Sequence, residues 1–222
     1  MGALDGIRVI DIGVLVQAPQ CAALLRDWGA DVVKVELPGF GDQSRWLPVE
    51  IGDRRSAFFG ACNRDKRSMT LDLRVEAGKG VFRRLIASAD VLVSNFKPGT
   101  LDEWGLGYEA LAAINPGLVY AAGSAFGHLG PDAPREGADL SAQALGGLIS
   151  AIGRDGSDPS PVVVTICDHI ASLNLASGIL AALVARGRTG RGQRLEVSLL
   201  GSQIWAQASE YTAYLMTGNV PG

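Results

Sequence analysis

Residues 7–36, IRVIDIGVLVQAPQCAALLRDWGADVVKVE, hold a strand, a helix and a second strand. Ile7–Asp11 is a short β-branched run and reads as a buried strand. Pro19 suits the first turn of a helix that runs to Trp28, and Gly29 suits the position just past its end. Asp31–Glu36 (DVVKVE) is the next strand. A strand, a short helix and another strand make a βαβ unit, which predicts a parallel sheet with a right-handed crossover.

The alternation continues outward from this unit. A helix with Val81, Leu85 and Ile86 on its apolar side falls within Asp72–Ala89, and Asp90–Asn95 reads as a strand. Short helical pieces occupy Leu101–Ile114, and Leu118–Ala122 is another strand. Residues 124–137, rich in Gly, Pro and charge, read as a long functional loop. Leu140–Ile152 reads as a small-residue helix and Val162–Thr165 as a short strand. A long helix follows over Asp168–Arg186, then a strand at Arg194–Leu199 and a last helix at Ser202–Met216. The expected fold is an α/β, Rossmann-like, doubly wound and mostly parallel sheet. The final TGNVPG stops on turn residues, which reads as a chain cut before its domain is complete.

Composition narrows the function. The chain has 222 residues, 47% of them hydrophobic, so a substantial core is expected. A net charge of −3 offers no general attraction for nucleic acid. Cys21, Cys62 and Cys167 are odd in number and widely spaced, against a disulfide framework or a zinc site, and His128 and His169 are the only histidines. The N-terminus lacks a signal-peptide pattern. The longest apolar run, near Leu173–Val184, is interrupted by Asn174 and Ser177 and reads as too short for a membrane span. A soluble, cytoplasmic protein without a metal or tightly bound cofactor is expected.

Three local features carry possible chemistry. The loop after the first strand lacks the G-x-G-x-x-G of dinucleotide folds, and no phosphate-binding G-x-x-x-x-G-K-[ST] occurs anywhere. That disfavours a nicotinamide-dependent dehydrogenase. The loop still leads into a helix N-terminus, whose N–H groups can receive a phosphate, or it is a plain turn. The cluster Arg64, Lys66 and Arg67 is either a phosphate-holding group or a solvated loop. Asp168 precedes a long apolar helix and is either a structural cap or, if functional, a nucleophile forming an acyl intermediate. Cys167 beside it reads as an ordinary buried thiol.

Several blocks in order resemble the class III (CaiB/BaiF-type) CoA-transferases. They are Leu4-Asp5-Gly6-Ile7-Arg8-Val9, then Trp28–Glu36 with Pro38-Gly39 and Gly41-Asp42, then Asn63-Arg64-Asp65-Lys66-Arg67-Ser68. Asp90–Gly99 (DVLVSNFKPG) and Gly187–Gln193 (GRTGRGQ) complete the series. Each is weak alone; their order and spacing cover essentially the whole chain.

The resemblance implies a site. Asp168 opens the helix leading to Gly190-Arg191-Gly192-Gln193 and so matches the catalytic aspartate of the family. Val16, Gln17 and Ala18 match its loop against the CoA phosphates or pantetheine, and Lys66 and Arg67 match its basic motif. Asn95, Phe96 and Lys97 match its adenosine-end segment, Arg135 a basic position of the long loop, and Asp139 a second acidic position near the active site. The implied substrates are an acyl-CoA and a carboxylic acid, with coenzyme A as substrate and not as a resident cofactor. Glu103 stands where the family often has a basic residue. The racemase branch carries a histidine in a Gly-His-Asp tripeptide, which here reads Gly137-Ala138-Asp139, so a racemase or isomerase ranks below a transferase. A noncatalytic CoA-binding module is the third reading. Full-length relatives are nearly twice as long, with a small second domain and a return segment, and form an interlocked homodimer. Residues 1–222 are therefore expected to be the N-terminal part of the large CoA-binding domain.

Overall fold

A computed structural model describes residues 2–47, 55–152, 156 and 158–220. Six strands form one parallel sheet: β1 (Arg8–Asp11), β2 (Asp31–Glu36), β3 (Arg67–Thr70), β4 (Val91–Ser94), β5 (Val119–Ser124) and β6 (Arg194–Ser198). Their spatial order is β3-β2-β1-β4-β5-β6. The sheet grows one way from β1 through β2 to β3, then the other way through β4. The point of reversal lies between β1 and β4, where folds of this kind open a crevice at the carboxyl ends of the strands.

Ten helices are described: α1 (Gln17–Asp27), α2 (Ala57–Asn63), α3 (Glu76–Ile86), α4 (Thr100–Glu103), α5 (Tyr108–Ile114), α6 (Asp139–Leu145), α7 (Leu148–Ala151), α8 (Ile166–Thr189), α9 (Leu199–Ala206) and α10 (Ala208–Thr217). They cover both faces of the sheet. Val9, Val91, Val93, Val119 and Ala121 pack on one face with Leu25 of α1 and Leu175 and Ile179 of α8. Ile10, Leu92, Tyr120 and Ala122 pack on the other with Phe82 and Ile86 of α3 and Leu111 of α5. Successive strand residues point to opposite faces, and in the central strands β4 and β5 both faces are buried, which is why these two read as apolar runs. At roughly 1.5–3 kcal/mol for each fully buried aliphatic or aromatic side chain, the two layers dominate the stabilisation.

Several boundaries differ from expectation. The first helix starts two residues before Pro19. The span Leu140–Ile152 is two helices, broken at Gly146-Gly147, where Gly147 has φ +72°. The last helix begins at Leu199 and breaks at Gln207. Val162–Thr165 is not a strand: its Val162 N–H and C=O pair with the carboxamide of Gln143, not with a neighbouring strand. Helix α2 gave no sequence signal, because seven residues containing a glycine show no period. Helix α8 has 24 residues, longer than the apolar run read from the sequence, and is long and apolar enough for a membrane span by length and composition. Here it packs on the sheet and on α1 through Ala171, Leu175, Ile179 and Ala182.

Candidate active site

The loop between β1 and α1 lies at the point of reversal, and side chains hold its backbone throughout. Gly13 N–H donates to Asp11 Oδ1 at 2.8 Å, and the Gly13 carbonyl accepts from Lys34 Nζ at 2.5 Å. Val14 pairs twice with Asn95: its N–H donates to Oδ1 at 2.8 Å and its carbonyl accepts from Nδ2 at 2.9 Å. Leu15, at φ +63°, donates its N–H to Asp42 Oδ1 at 3.0 Å. A left-handed leucine is strained, and this bond helps to hold it. All three of these loop N–H groups are thus occupied by side chains.

Beneath the loop is a buried ionic cluster. Lys34 Nζ lies 2.8 Å from Asp42 Oδ2 and 3.6 Å from Asp11 Oδ2. Lys66 Nζ lies 2.7 Å from Asp11 Oδ2 and also donates to Pro19 O and Asn63 Oδ1. With 1% of its side chain exposed, Lys66 has three acceptors here and supports the loop. Arg67 sits at the opposite end of the sheet, at the start of β3, paired with Asp31 of β2. The basic motif is therefore split between the interior and the far edge.

Two cavities flank the loop. One, of 430 Å³, is bounded by Leu15 and Val16, by Phe58, by Asp139 and Gln143 of α6, by residues 161–165 and by Asp168. Its walls are mostly apolar. The other, of 250 Å³, lies across Gly13 and Val14 and has Phe40, Phe96, Trp104 and Arg74 in its walls. Phe96 and Trp104 meet edge to face with centroids 5.6 Å apart. Of the expected adenosine-end segment, Phe96 faces this second cavity, Asn95 holds the loop and Lys97 is exposed.

Asp168 lies in the first turn of α8, after the N-cap Thr165, and no side-chain cap bond closes that helix end. Its N–H donates to Asp139 Oδ2 at 2.9 Å. Ser172 Oγ lies 2.8 Å from Gln17 O and 2.7 Å from Asp168 O, tying the start of α1 to the first turn of α8. The Asp168 carboxyl is pushed up to about 7, first by burial and second by the charge of Asp139; the Gln17 N–H works the other way. Burial pushes the neighbouring Cys167 thiol up to about 12, which leaves it protonated and unreactive.

Val16, Gln17 and Ala18 are buried under this site, and Gln17 Nε2 donates to Ser124 O. Arg135 is exposed in the long loop, paired with Asp132 and 5.2 Å above the Phe126 ring. The structure thus gathers Val16, Asp139 and Asp168 around one cavity, with Gln17 and Ala18 buried behind it, and leaves Lys66, Arg67 and Arg135 outside it. Sequence reading missed Gln143, Asp42 and Ser172. The spacing of four between Asp139 and Gln143 on one helix was the available signal for the first.

An open parallel sheet with paired cavities at its reversal point, both with carboxyls in their walls, defines an α/β fold of the Rossmann type. Residues 4–222 match the model for CoA-transferase family III, and the chain belongs to that family. It is 36% identical to a succinyl-CoA–D-citramalate CoA-transferase of Chloroflexus aurantiacus, over 98% of this chain and 54% of the relative. It is 38% identical to a succinate–glutarate CoA-transferase of Agrobacterium fabrum, over 98% and 56%. A crystal structure of a CaiB/BaiF family protein from Brucella suis superposes with a TM-score of 0.93 at 41% identity, over 99% of this chain and 59% of that one. The chain spans about half the length of the curated relatives it matches.

Proposed function

We propose that this chain carries the nucleophilic half of a CoA-transferase that moves coenzyme A from an acyl-CoA to a carboxylic acid, with Asp168 as nucleophile. The observation that supports this most directly is the Asp168 carboxyl in the wall of a mostly apolar cavity, tuned to titrate near neutrality. An ionised Asp168 oxygen attacks the acyl carbon of the thioester. The C–S bond breaks, a mixed anhydride forms and CoA leaves as thiolate. The thiolate then attacks the Asp168 carbonyl carbon, giving an aspartyl thioester and releasing the donor acid. The acceptor carboxylate attacks this thioester and expels the thiolate again, which takes the acceptor acyl group and frees Asp168. Holding carboxylate and thioester together in the cavity supplies the effective concentration that such a weak nucleophile needs.

The second cavity, with its aromatic walls, suits the adenine ring, so CoA would run across the Gly13–Val16 loop from one cavity to the other. Lys97 and Arg135, both exposed, are the phosphate contacts of this reading, while Lys66 and Arg67 keep their structural pairings. The acting form is proposed as a homodimer of a longer chain in the cytoplasm.

The test is intact-protein mass spectrometry after mixing with succinyl-CoA, acetyl-CoA and longer acyl-CoAs. A covalent adduct on the native chain that disappears in Asp168→Ala is expected. An adduct that survives in Asp168→Ala would sink the assignment.

A further inference from the structure

We propose that Gln143 is a positioning residue that fixes the geometry of Asp139 and Asp168 and thereby sets the charge state in which Asp168 meets its substrate. This rests on the nucleophilic role argued above. Gln143 is 2% exposed, and its carboxamide is fully engaged. Nε2 donates to Asp139 Oδ1 at 2.5 Å and to Val162 O at 3.2 Å, with Val164 O a further 3.5 Å away. Oε1 accepts the Val162 N–H at 2.9 Å. The other oxygen of Asp139 accepts the Asp168 N–H. One neutral side chain therefore joins the 162–164 wall of the cavity to the carboxylate that receives the Asp168 backbone.

Its chemistry follows from its being neutral and able both to donate and to accept. As donor it fixes Asp139 Oδ1, so that the other oxygen stays on the Asp168 N–H. An ionised Asp139 in this place opposes ionisation of Asp168. As acceptor and donor to Val162 it pins the backbone of that wall where no neighbouring strand does. Asp139 from α6 raises Asp168, and Asp168 in turn raises the thiols of Cys167 on α8 and Cys62 on α2. Burial holds both thiols protonated, Cys62 pushed up to about 11 and Cys167 to about 12. Asp139 is the one of the three whose charge raises Asp168, and Gln143 is its donor. Leucine or methionine at 143 fills the space without the bonds. Glutamate keeps an acceptor for Val162 but sets a second charge against Asp139.

The experiment follows the Asp168 carboxyl carbon by NMR in the 222-residue chain carrying 13C-labelled aspartate, with Asp168→Asn to identify the signal. No substrate or turnover is needed, so the result stands whether or not an adduct forms with any acyl-CoA. In Gln143→Met the Asp168 midpoint is expected to fall by about one pH unit or more, because Asp139 loses the donor that holds it beside Asp168 and swings away. In Gln143→Glu it is expected to move as well, since that variant also loses the donor to Asp139 and sets a carboxylate against it. If Gln143→Met does not fold, Gln143→Glu alone decides. A purely structural role would lower the melting temperature and leave the midpoint where it is in the native chain. An unmoved midpoint in the folded variant overturns the proposal. Where an adduct does form, the pH at which its yield is half-maximal should move with the NMR midpoint.

Discussion

Asp168 costs the fold what it gives the site. A carboxyl that titrates at about 7 in the folded chain and near 4 when unfolded favours folding below both values. That contribution is lost as pH rises through 7, where the folded state must ionise a group it disfavours. Replacing it with Asn removes the penalty. Asp168→Asn should therefore be more stable than the native chain at pH 8, by roughly 1–3 kcal/mol. The gap should close as pH falls below about 4. Urea unfolding at pH 8 and pH 4 reads both. A gap independent of pH would show that burial does not tune this residue. The position of Asp168 was legible in the sequence through its neighbours, an apolar segment before it and a long helix after it. Its surroundings were not. Asp139 and Gln143 lie more than twenty residues upstream, and only tertiary packing brings them to it. Asp168 stands as an acid in the first turn of α8, one turn past the N-cap Thr165.

At the scale of elements, the strands were readable because β-branched and other apolar runs buried on both faces leave a strong local trace, as in Val91–Val93 and Val32–Val35. Helix breaks were less so. Gly146-Gly147 was a visible signal that the sequence reading passed over, whereas nothing about Gln207 announces a break. The turn 190–193 between α8 and β6 shows why two of its residues are glycines. Gly190 ends α8 at φ +69°. A Cβ at Gly192 would lie 2.0 Å from the Leu118 carbonyl oxygen, in the strand approach to β5, while the Gly192 N–H donates to Pro116 O at 2.9 Å. The obstacle is backbone on both sides and has little freedom to yield. Gly192→Ala is expected to cost about 2–4 kcal/mol in urea unfolding, with the β5–β6 edge loosened first. A loss under about 0.5 kcal/mol, the range of an ordinary surface change, would mean that the turn relaxes freely.

At the scale of the whole molecule, the alternation of strands and helices announced a doubly wound parallel sheet, and that is the fold found. The strand order was not readable, since crossover handedness limits where a strand goes without choosing the side of the sheet on which β4 lands. Nor could the fate of the basic motif be read. Lys66 and Arg67 are adjacent in sequence, yet β3 starts between the interior and the edge, so one faces Asp11 and the other Asp31. Recognition by resemblance gave the family correctly and left open which matched residues touch a ligand and which support those that do.

The Gly13–Leu15 loop has one more consequence, for deuterium uptake. Its segment belongs to no helix or sheet, and connecting loops usually trade their amide protons with solvent quickly. Here the three N–H groups are held by Asp11, Asn95 and Asp42, from β1, the end of β4 and the turn after β2. Releasing the Val14 and Leu15 amides means moving the loop away from two other segments at once, and the Gly13 amide is buried beside them. Their exchange should therefore be as slow as that of β1 itself, so that heavy water would label the ligand crevice last instead of first.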